Sequence, residues 1–206
     1  EIPRGGEYAL VLSDGTKVHL NSMSSLRFPV AFTTGKREVE LQGEAYFEVS
    51  KTGQPFIVNA NGMQVEVLGT TLNISAYPDE EYQTTLVNGS VKVSAEKGES
   101  LILKPSQQAT IALGSNSIQV RTVDTSFYTS WVKGKINFKD QRLEDIMKTL
   151  SRWYDMNVVY ENEKLKNIRF GCNLNRYEEI TPFVKLLEKT EEVHVKIEGN
   201  TITFHN

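Results

Sequence analysis

LQGEAYFEV (residues 41–49), VEVLGTTLNISAY (65–77) and TLVNGSVKV (85–93) are the runs that decide the fold. Each is short, rich in β-branched and aromatic residues, and closed by a Gly-containing turn, which is the pattern of strands and hairpins. Asn88-Gly89 is the clearest turn signal. Both residues tolerate positive φ, so the pair predicts a type I′ hairpin joining residues 84–87 to 90–94. No side chain in these runs suggests chemistry, and the stretch reads as scaffold.

The pattern continues on either side. Residues 8–12 and 17–20 flank Ser13-Asp14-Gly15-Thr16, where Asp14-Gly15 supplies a turn. Gly35-Lys36 precedes a strand over 37–41, and Gln42-Gly43 is expected to turn the chain into a second strand over 44–49. Residues 56–60 and 64–68 form a pair around Asn61-Gly62, 71–77 follows, and Pro78-Asp79-Glu80-Glu81 is a charged turn. Strands over 101–103, 108–113 and 118–122 complete the series. No helical period appears before residue 123, so residues 1–125 are expected to form an all-β domain. A sandwich, a barrel or an open stack of hairpins would each give this pattern.

From Asp124 onward the character changes, and residues 126–206 are expected to form a second domain. A short strand over 135–138 leads to a helix with Asp140 as N-cap and Glu144 and Asp145 in the favourable first turn. Leu143, Ile146, Met147, Leu150, Trp153 and Tyr154 recur at spacings of three and four and give that helix one apolar face. Strands follow over 157–160 and 168–174. A second helix lies within 177–189, beginning either at an Asn175–Glu178 capping box or at Thr181-Pro182, with Pro at the first helical position. Residues 193–197 and 201–205 close the chain as a hairpin. The order β-α-β-β-α-β-β describes a small α+β domain.

Composition narrows the function classes. The 206 residues carry a net charge of −3, with Lys and Arg scattered among Asp and Glu, so there is no basic stripe to track nucleic acid. No apolar run approaches the ~20 residues that span a bilayer, and no signal peptide is visible. Because Glu1 is not preceded by Met, the chain is expected to be a segment of a longer protein. Cys172 stands alone, which excludes an intramolecular disulfide and leaves a small apolar packing residue as the better reading over a reactive thiol.

The search for chemistry returns absences. Glu44 and Glu48 fall on one face of a strand but ~13 Å apart, beyond the ~5–9.5 Å that paired carboxylates use in glycoside hydrolysis. His19, His194 and His205 lack metal-ligand spacing, although the last two would meet across the final hairpin. Gly5-Gly6 and Gly69-Thr70 lack the spacing and the Lys of a phosphate loop, and no G-x-S-x-G elbow is present. Trp131 and Trp153 are the only tryptophans for a sugar platform, and Trp153 sits on the apolar helix face. The expectation is a protein without catalytic residues, metal or cofactor.

SDGTKVHLNSMSSLRFP (13–29), VELQGEAYFEV (39–49), PFIVNANGMQVEVLGTTLNISAY (55–77), TTLVNGSVKV (84–93) and LKPSQQATI (103–111) together resemble the periplasmic part of FecR-like anti-sigma factors. KINFKDQRLEDIMKTLSRWYDMNVVYE (135–161) through VKIEGNTITF (195–204) resembles the C-terminal domain of that family and is similar to the short N-terminal (STN) domains of secretins and TonB-dependent receptors. His19, Leu72 and Ser106 depart from the family, which usually has an aromatic, often Phe and often Gly at these places. The resemblance implies a mainly β fold, an open, twisted, solenoid-like stack of β-hairpins followed by a small α+β (βαβ-βαββ) STN-like domain. It also implies a periplasmic location in a protein anchored in the inner membrane, whose single membrane helix and cytoplasmic, sigma-factor-binding segment lie outside this sequence. The partner it implies is the signalling domain of a TonB-dependent outer-membrane transporter, received by the C-terminal domain.

An exposed sheet edge is a template for strand addition. Ile168, Arg169, Phe170, Gly171 and Cys172, with Thr201 and Thr203 of the final strand, are the candidate edge residues, because both runs alternate and neither has a helix obliged to cover it. A carbohydrate-binding or adhesin-like β protein is the alternative, and it predicts exposed aromatic platforms.

Overall fold

The computed structural model describes residues 1–33 and 35–206. Two units follow one another along the chain, Glu1–Thr129 and Ser130–Asn206. The strands of the first are β1 (Tyr8–Val11), β2 (Lys17–Leu20), β3 (Ser25–Arg27), β4 (Arg37–Glu48), β5 (Phe56–Ala60), β6 (Met63–Val67), β7 (Thr71–Ala76), β8 (Tyr82–Asn88), β9 (Val91–Ala95), β10 (Ser100–Leu103), β11 (Gln107–Ile111) and β12 (Gln119–Thr122). They form one curled open sheet in the order β10-β9-β6-β5-β4-β7-β8-β11-β12, with β2 and β3 also on β4 and β1 on β2.

Strand β4 organises this unit. Its 12 residues alternate in burial, with Arg37, Val39, Leu41, Gly43, Ala45 and Phe47 inward. The first half pairs with β3 and, in parallel, with β5. The second half pairs with β2 and β7. The expected turn at Gln42-Gly43 is therefore not a turn. Gly43 keeps the chain in the strand at φ +90° while the strand changes partners, a conformation that L side chains avoid. A Cβ there would stand 2.5 Å from the Ser24 hydroxyl oxygen, and that oxygen accepts the Glu44 N–H at 2.8 Å.

After β4 the chain lays down hairpins alternately in two arms. β5–β6 and β9–β10 build one arm, and β7–β8 and β11–β12 the other. Asn61 (φ 44°) and Gly62 (φ 83°) supply the two positive φ values of the expected tight turn between β5 and β6. Asn88-Gly89 departs from expectation. β8 pairs with β7 and β11, while β9 pairs with β6 and β10, so this dipeptide carries the chain from one arm to the other. Asn88 remains in β8 opposite Thr71, and Gly89 takes the positive φ of 99° against Thr70, whose hydroxyl donates to the Ser90 carbonyl at 3.0 Å. Both arms bury their inward rows in one core that includes Val39, Phe47, Phe56, Val65, Ile74 and Leu86. Each such side chain removed from water contributes roughly 1.5–3 kcal/mol.

One charged pair lies within this unit's interior. The Arg37 side chain is 1% exposed and that of Asp14 is 7% exposed. The guanidinium donates to Asp14 Oδ2 at 2.6 Å, to the Ser50 carbonyl at 2.8 Å and to the Gln54 carbonyl at 2.6 Å, and it lies 5.4 Å from the Phe56 ring centroid. Thr16 donates both its N–H and its hydroxyl to Asp14. The β1–β2 turn is thereby tied to the segment that follows β4.

The second unit opens with a 3₁₀ turn (Ser130–Lys133), after the short helix α1 (Ser126–Thr129) that ends the first. Its elements are β13 (Lys135–Arg142), α2 (Leu143–Trp153), β14 (Asn157–Tyr160), β15 (Arg169–Asn175), α3 (Thr181–Glu188), β16 (His194–Glu198) and β17 (Thr201–His205), in the expected order. Leu143, Ile146, Met147, Leu150 and Trp153 of α2 are buried, as the spacing predicts. Phe183, Val184 and Leu187 of α3 join a core with Phe170, Ile202 and Phe204.

Two helix starts differ from the sequence reading. Asp140 is not an N-cap: β13 runs on to Arg142 through a bulge between Phe138 and Gln141, and Asp140 sits in that bulge at φ 51°. Arg142, in extended conformation and without a side-chain cap bond, precedes α2 instead. Glu144 and Asp145 do occupy the first turn. For α3, the Pro182 start prevails over the capping box, with Ile180 before the helix and Thr181 inside it. Asn175 instead closes a local turn, accepting the Tyr177 N–H at 3.1 Å.

Two outcomes follow from this packing. Gly43→Ala should destabilise the first unit by about 3 kcal/mol or more, read from urea unfolding, because it combines backbone strain with a buried clash; a cost under about 1 kcal/mol would contradict the account of β4. Asp14→Asn should cost about 3 kcal/mol at neutral pH by stranding a buried guanidinium. Burial alone would raise the Asp14 carboxyl, but the Thr16 hydrogen bonds and the Arg37 charge outweigh it and hold the group below its ordinary 3.8. The contribution of the pair is thus complete above 3.8 and fades as pH falls through the lower folded-state value, so the gap between wild type and Asp14→Asn should narrow below pH 4.

Candidate functional site

The second unit holds two small sheets, β13-β15 and β14-β17-β16. β17 is the central strand of the larger one, paired in parallel with β14 and antiparallel with β16. Thr201 and Thr203 are therefore not edge residues. Both sides of their backbone already face a neighbouring strand, which leaves no row of groups for a partner. The edges of that sheet are β14 and β16.

β15 has the geometry that the sequence reading sought. Ile168 lies just before the strand, as the residue that closes the preceding 3₁₀ turn, and Arg169, Phe170, Gly171 and Cys172 lie within it. Among the described residues no strand pairs with its side opposite β13. Phe170 is buried, and Cys172 and Leu174 pack against the core, while Arg169, Gly171 and Asn173 are exposed on the other face. The Leu143 N–H donates to the Ile168 carbonyl at 2.8 Å and the Arg176 N–H to the Gly134 carbonyl at 2.7 Å. These two bonds fix the alternation of the ladder. Backbone groups of Phe170, Cys172 and Leu174 turn toward β13, and those of Arg169, Gly171 and Asn173 turn toward the open side. Asn173 extends the candidate edge beyond the residues that the sequence singled out; the two-residue period counted on from Arg169 points to it.

The side chains around this edge are restrained. Arg169 Nε donates to Asp140 Oδ1 at 3.0 Å, and its Nη2 donates to the Asp140 carbonyl at 2.6 Å, so the bulge of β13 holds the Arg169 side chain in place. Burial pushes the Cys172 thiol up to about 11, which keeps it protonated at neutral pH and fits a packing role. Burial, then the charges of Glu144 and Asp145, push the Tyr160 phenol well above its ordinary range.

The other sequence candidates separate. Glu44 accepts from Asn21 at 2.7 Å and from Asn73 at 2.9 Å, whereas Glu48 pairs with Lys17 at 3.6 Å. The two carboxylates hold different strands together and form no acid pair. His194 and His205 do meet across the last hairpin, with ring centroids 5.6 Å apart. Among the described residues no group of three or more His, Cys, Asp or Glu is placed to hold a metal. Trp131 and Trp153 are buried, and the Arg176 guanidinium covers the Trp153 ring at 5.0 Å, so neither forms a platform. No helix among the described residues is long and apolar enough to cross a membrane.

Comparison with known proteins bears directly on this arrangement. The family described as FecR protein matches residues 1–92, and the family described as FecR, C-terminal, matches residues 135–204, the span that contains the open β15 edge. The chain belongs to the FecR-like anti-sigma factors. Two crystal structures, each of a proposed anti-sigma factor from Parabacteroides distasonis, have the same fold. One is 25% identical with a TM-score of 0.91, covering 100% of this chain and 97% of the other. The second is 26% identical with a TM-score of 0.90, covering 100% of this chain and 96% of the other. No curated protein sequence matches the chain. The FecR-like family is regulatory, with an anti-sigma role that implies contact with a sigma factor and with signalling partners. The departures from its sequence pattern are structural. His19 stands edge-on to the Tyr46 ring at 6.3 Å, Leu72 is buried opposite Phe47, and Ser106 adopts φ 66°.

Proposed function

We propose that this chain is the periplasmic, signal-receiving region of a FecR-like regulator anchored in the inner membrane. The signalling domain of a TonB-dependent outer-membrane transporter binds its STN-like C-terminal unit. The signal passes to an extracytoplasmic-function sigma factor held by a cytoplasmic segment outside this sequence. No covalent chemistry is involved; the work is done by protein–protein contact.

The observation that carries the reading is the unpaired side of β15. It offers seven residues, against four on β14 and five on β16. The other edge of its own sheet, β13, has eight, but the bulge between Phe138 and Gln141 breaks that strand, so β15 presents the longest uninterrupted edge for an added strand. Backbone hydrogen bonds give affinity in strand addition, and Gly171, which has no side chain, leaves room for a partner backbone to approach. The buried face of Phe170, Cys172 and Leu174 keeps the strand in register while its free side is occupied.

Proline tests the assignment, provided it is placed by the alternation. At Phe170 or Cys172 it would remove a bond to β13 and damage the sheet itself. At Asn173 it removes a donor that faces outward. Asn173→Pro should keep the far-ultraviolet circular dichroism of the fragment and weaken binding of the transporter signalling domain by about tenfold or more in calorimetry. Unchanged affinity in a folded Asn173→Pro protein would exclude β15 as the receiving edge.

A further inference from the structure

The first unit carries a feature that the receiver role does not use. On the outer side of the β5–β6–β9 arm lies an open depression of about 600 Å³, and a second of about 360 Å³ adjoins it, sharing Arg27, Glu40 and Asn59. Strand register explains the trough. Arg27 stands opposite Glu40, Glu40 opposite Asn59, Asn59 opposite Gln64, and Gln64 opposite Ser94. One polar residue from each of β3, β4, β5, β6 and β9 thus falls in a single row, with steps of ~4.8 Å between strands. Phe28, 42% exposed, lines the end beside Arg27.

The row is organised by its own hydrogen bonds. Gln64 Nε2 donates to Asn59 Oδ1 at 3.0 Å, and Asn59 Nδ2 donates to Glu38 Oε1 at 2.7 Å. Arg27 pairs with Glu40 at 3.2 Å. These bonds orient the amides yet leave each with further donors and acceptors, since an amide side chain offers two N–H groups and two lone pairs. The chemistry selects among ligands. An anion is disfavoured, because the one guanidinium is already paired and carboxylates outnumber it. Apolar surface is present only in separate pieces, at Leu41, Ala60, Met63 and Ala95 and at Phe28 and Pro29, with polar side chains between them. That suits a ligand that alternates hydroxyl groups with apolar ring faces better than a wholly apolar one. Side chains that both donate and accept, set at intervals comparable to a sugar ring and ending on an exposed aromatic, complement a chain of hydroxyl groups.

We propose that this row is a binding site for an oligosaccharide lying across the strands, from Phe28 toward Ser94. The site is independent of the β15 edge, so the regulator takes two inputs, a protein on its second unit and a glycan on its first.

The test is titration of the ¹⁵N-labelled full fragment with cellohexaose, maltohexaose, xylohexaose and chitohexaose, with decalysine as the competing probe. At least one hexasaccharide should shift the amide signals of Glu40, Asn59, Gln64 and Ser94. The Asn59→Ala/Gln64→Ala double variant, whose altered side chains lie on the face away from the core, should stay folded and bind about tenfold more weakly. Phe28→Ala should weaken binding as well. Shifts confined to other surfaces, equal affinity in the folded double variant, a row that answers to decalysine alone, or no response to any hexasaccharide would overturn the proposal.

Discussion

One strand has to serve both arms of the β sheet, and Gly43 is where that demand is met. β4 leaves β3 and β5 and joins β2 and β7 without ending, which requires a positive φ in mid-strand and a backbone close to Ser24. Only glycine meets both conditions without strain. Everything later in the unit is stacked on the two halves that result, since each hairpin after β4 adds to one arm and the next adds to the other. Because the arms face one core, the inward rows of Val39, Phe47, Ile74 and Val93 can be buried although the sheet never closes. An open sheet of this kind keeps its outer faces and edges available, and the trough over β4, β5 and β6 is one consequence.

The Arg37–Asp14 pair has a different character. A buried ion pair pays a desolvation cost that its attraction often only offsets. Its effect here is geometric. The guanidinium reaches the Asp14 turn and the Ser50 and Gln54 carbonyls at once, so it sets where the β1–β2 hairpin and the chain leaving β4 meet. Nothing in the period of the sequence singles out Arg37, since its alternation partners are apolar and a charged residue at a core position reads as an edge or a boundary.

Strands and helix faces were legible in the sequence because their signals are local. The two-residue period of β4 and the three-and-four spacing of α2 depend only on which side of one element meets the core. Partnership was less legible. Asn61-Gly62 and Asn88-Gly89 carry the same turn signal, yet the first closes a hairpin and the second crosses between arms, because a dipeptide states which φ values it tolerates and not which strands it joins. Thr201 and Thr203 were misplaced at an edge for the same reason: β14, more than forty residues earlier in the chain, pairs with the far side of β17. Asp140 carries the residue type of a cap but lies in a bulge, where its carboxylate serves Arg169 of the neighbouring strand. The family resemblance supplied the overall architecture, which periodicity alone left open between a sandwich, a barrel and a stack.

The receiving edge joins these levels. Phe170, Cys172 and Leu174 anchor β15 to the core of the second unit, and the bulge at Asp140 restrains Arg169, which leaves one rigid strand with a free row of backbone groups. Hydrogen exchange resolved to single amides, with and without the transporter signalling domain, examines that row directly. The account predicts that the amides of Arg169, Gly171 and Asn173 exchange rapidly in the free chain and become protected in the complex, while those of β14 and β16 are unchanged. Protection appearing on β14, on β16 or in the first unit, with β15 unaffected, would contradict it.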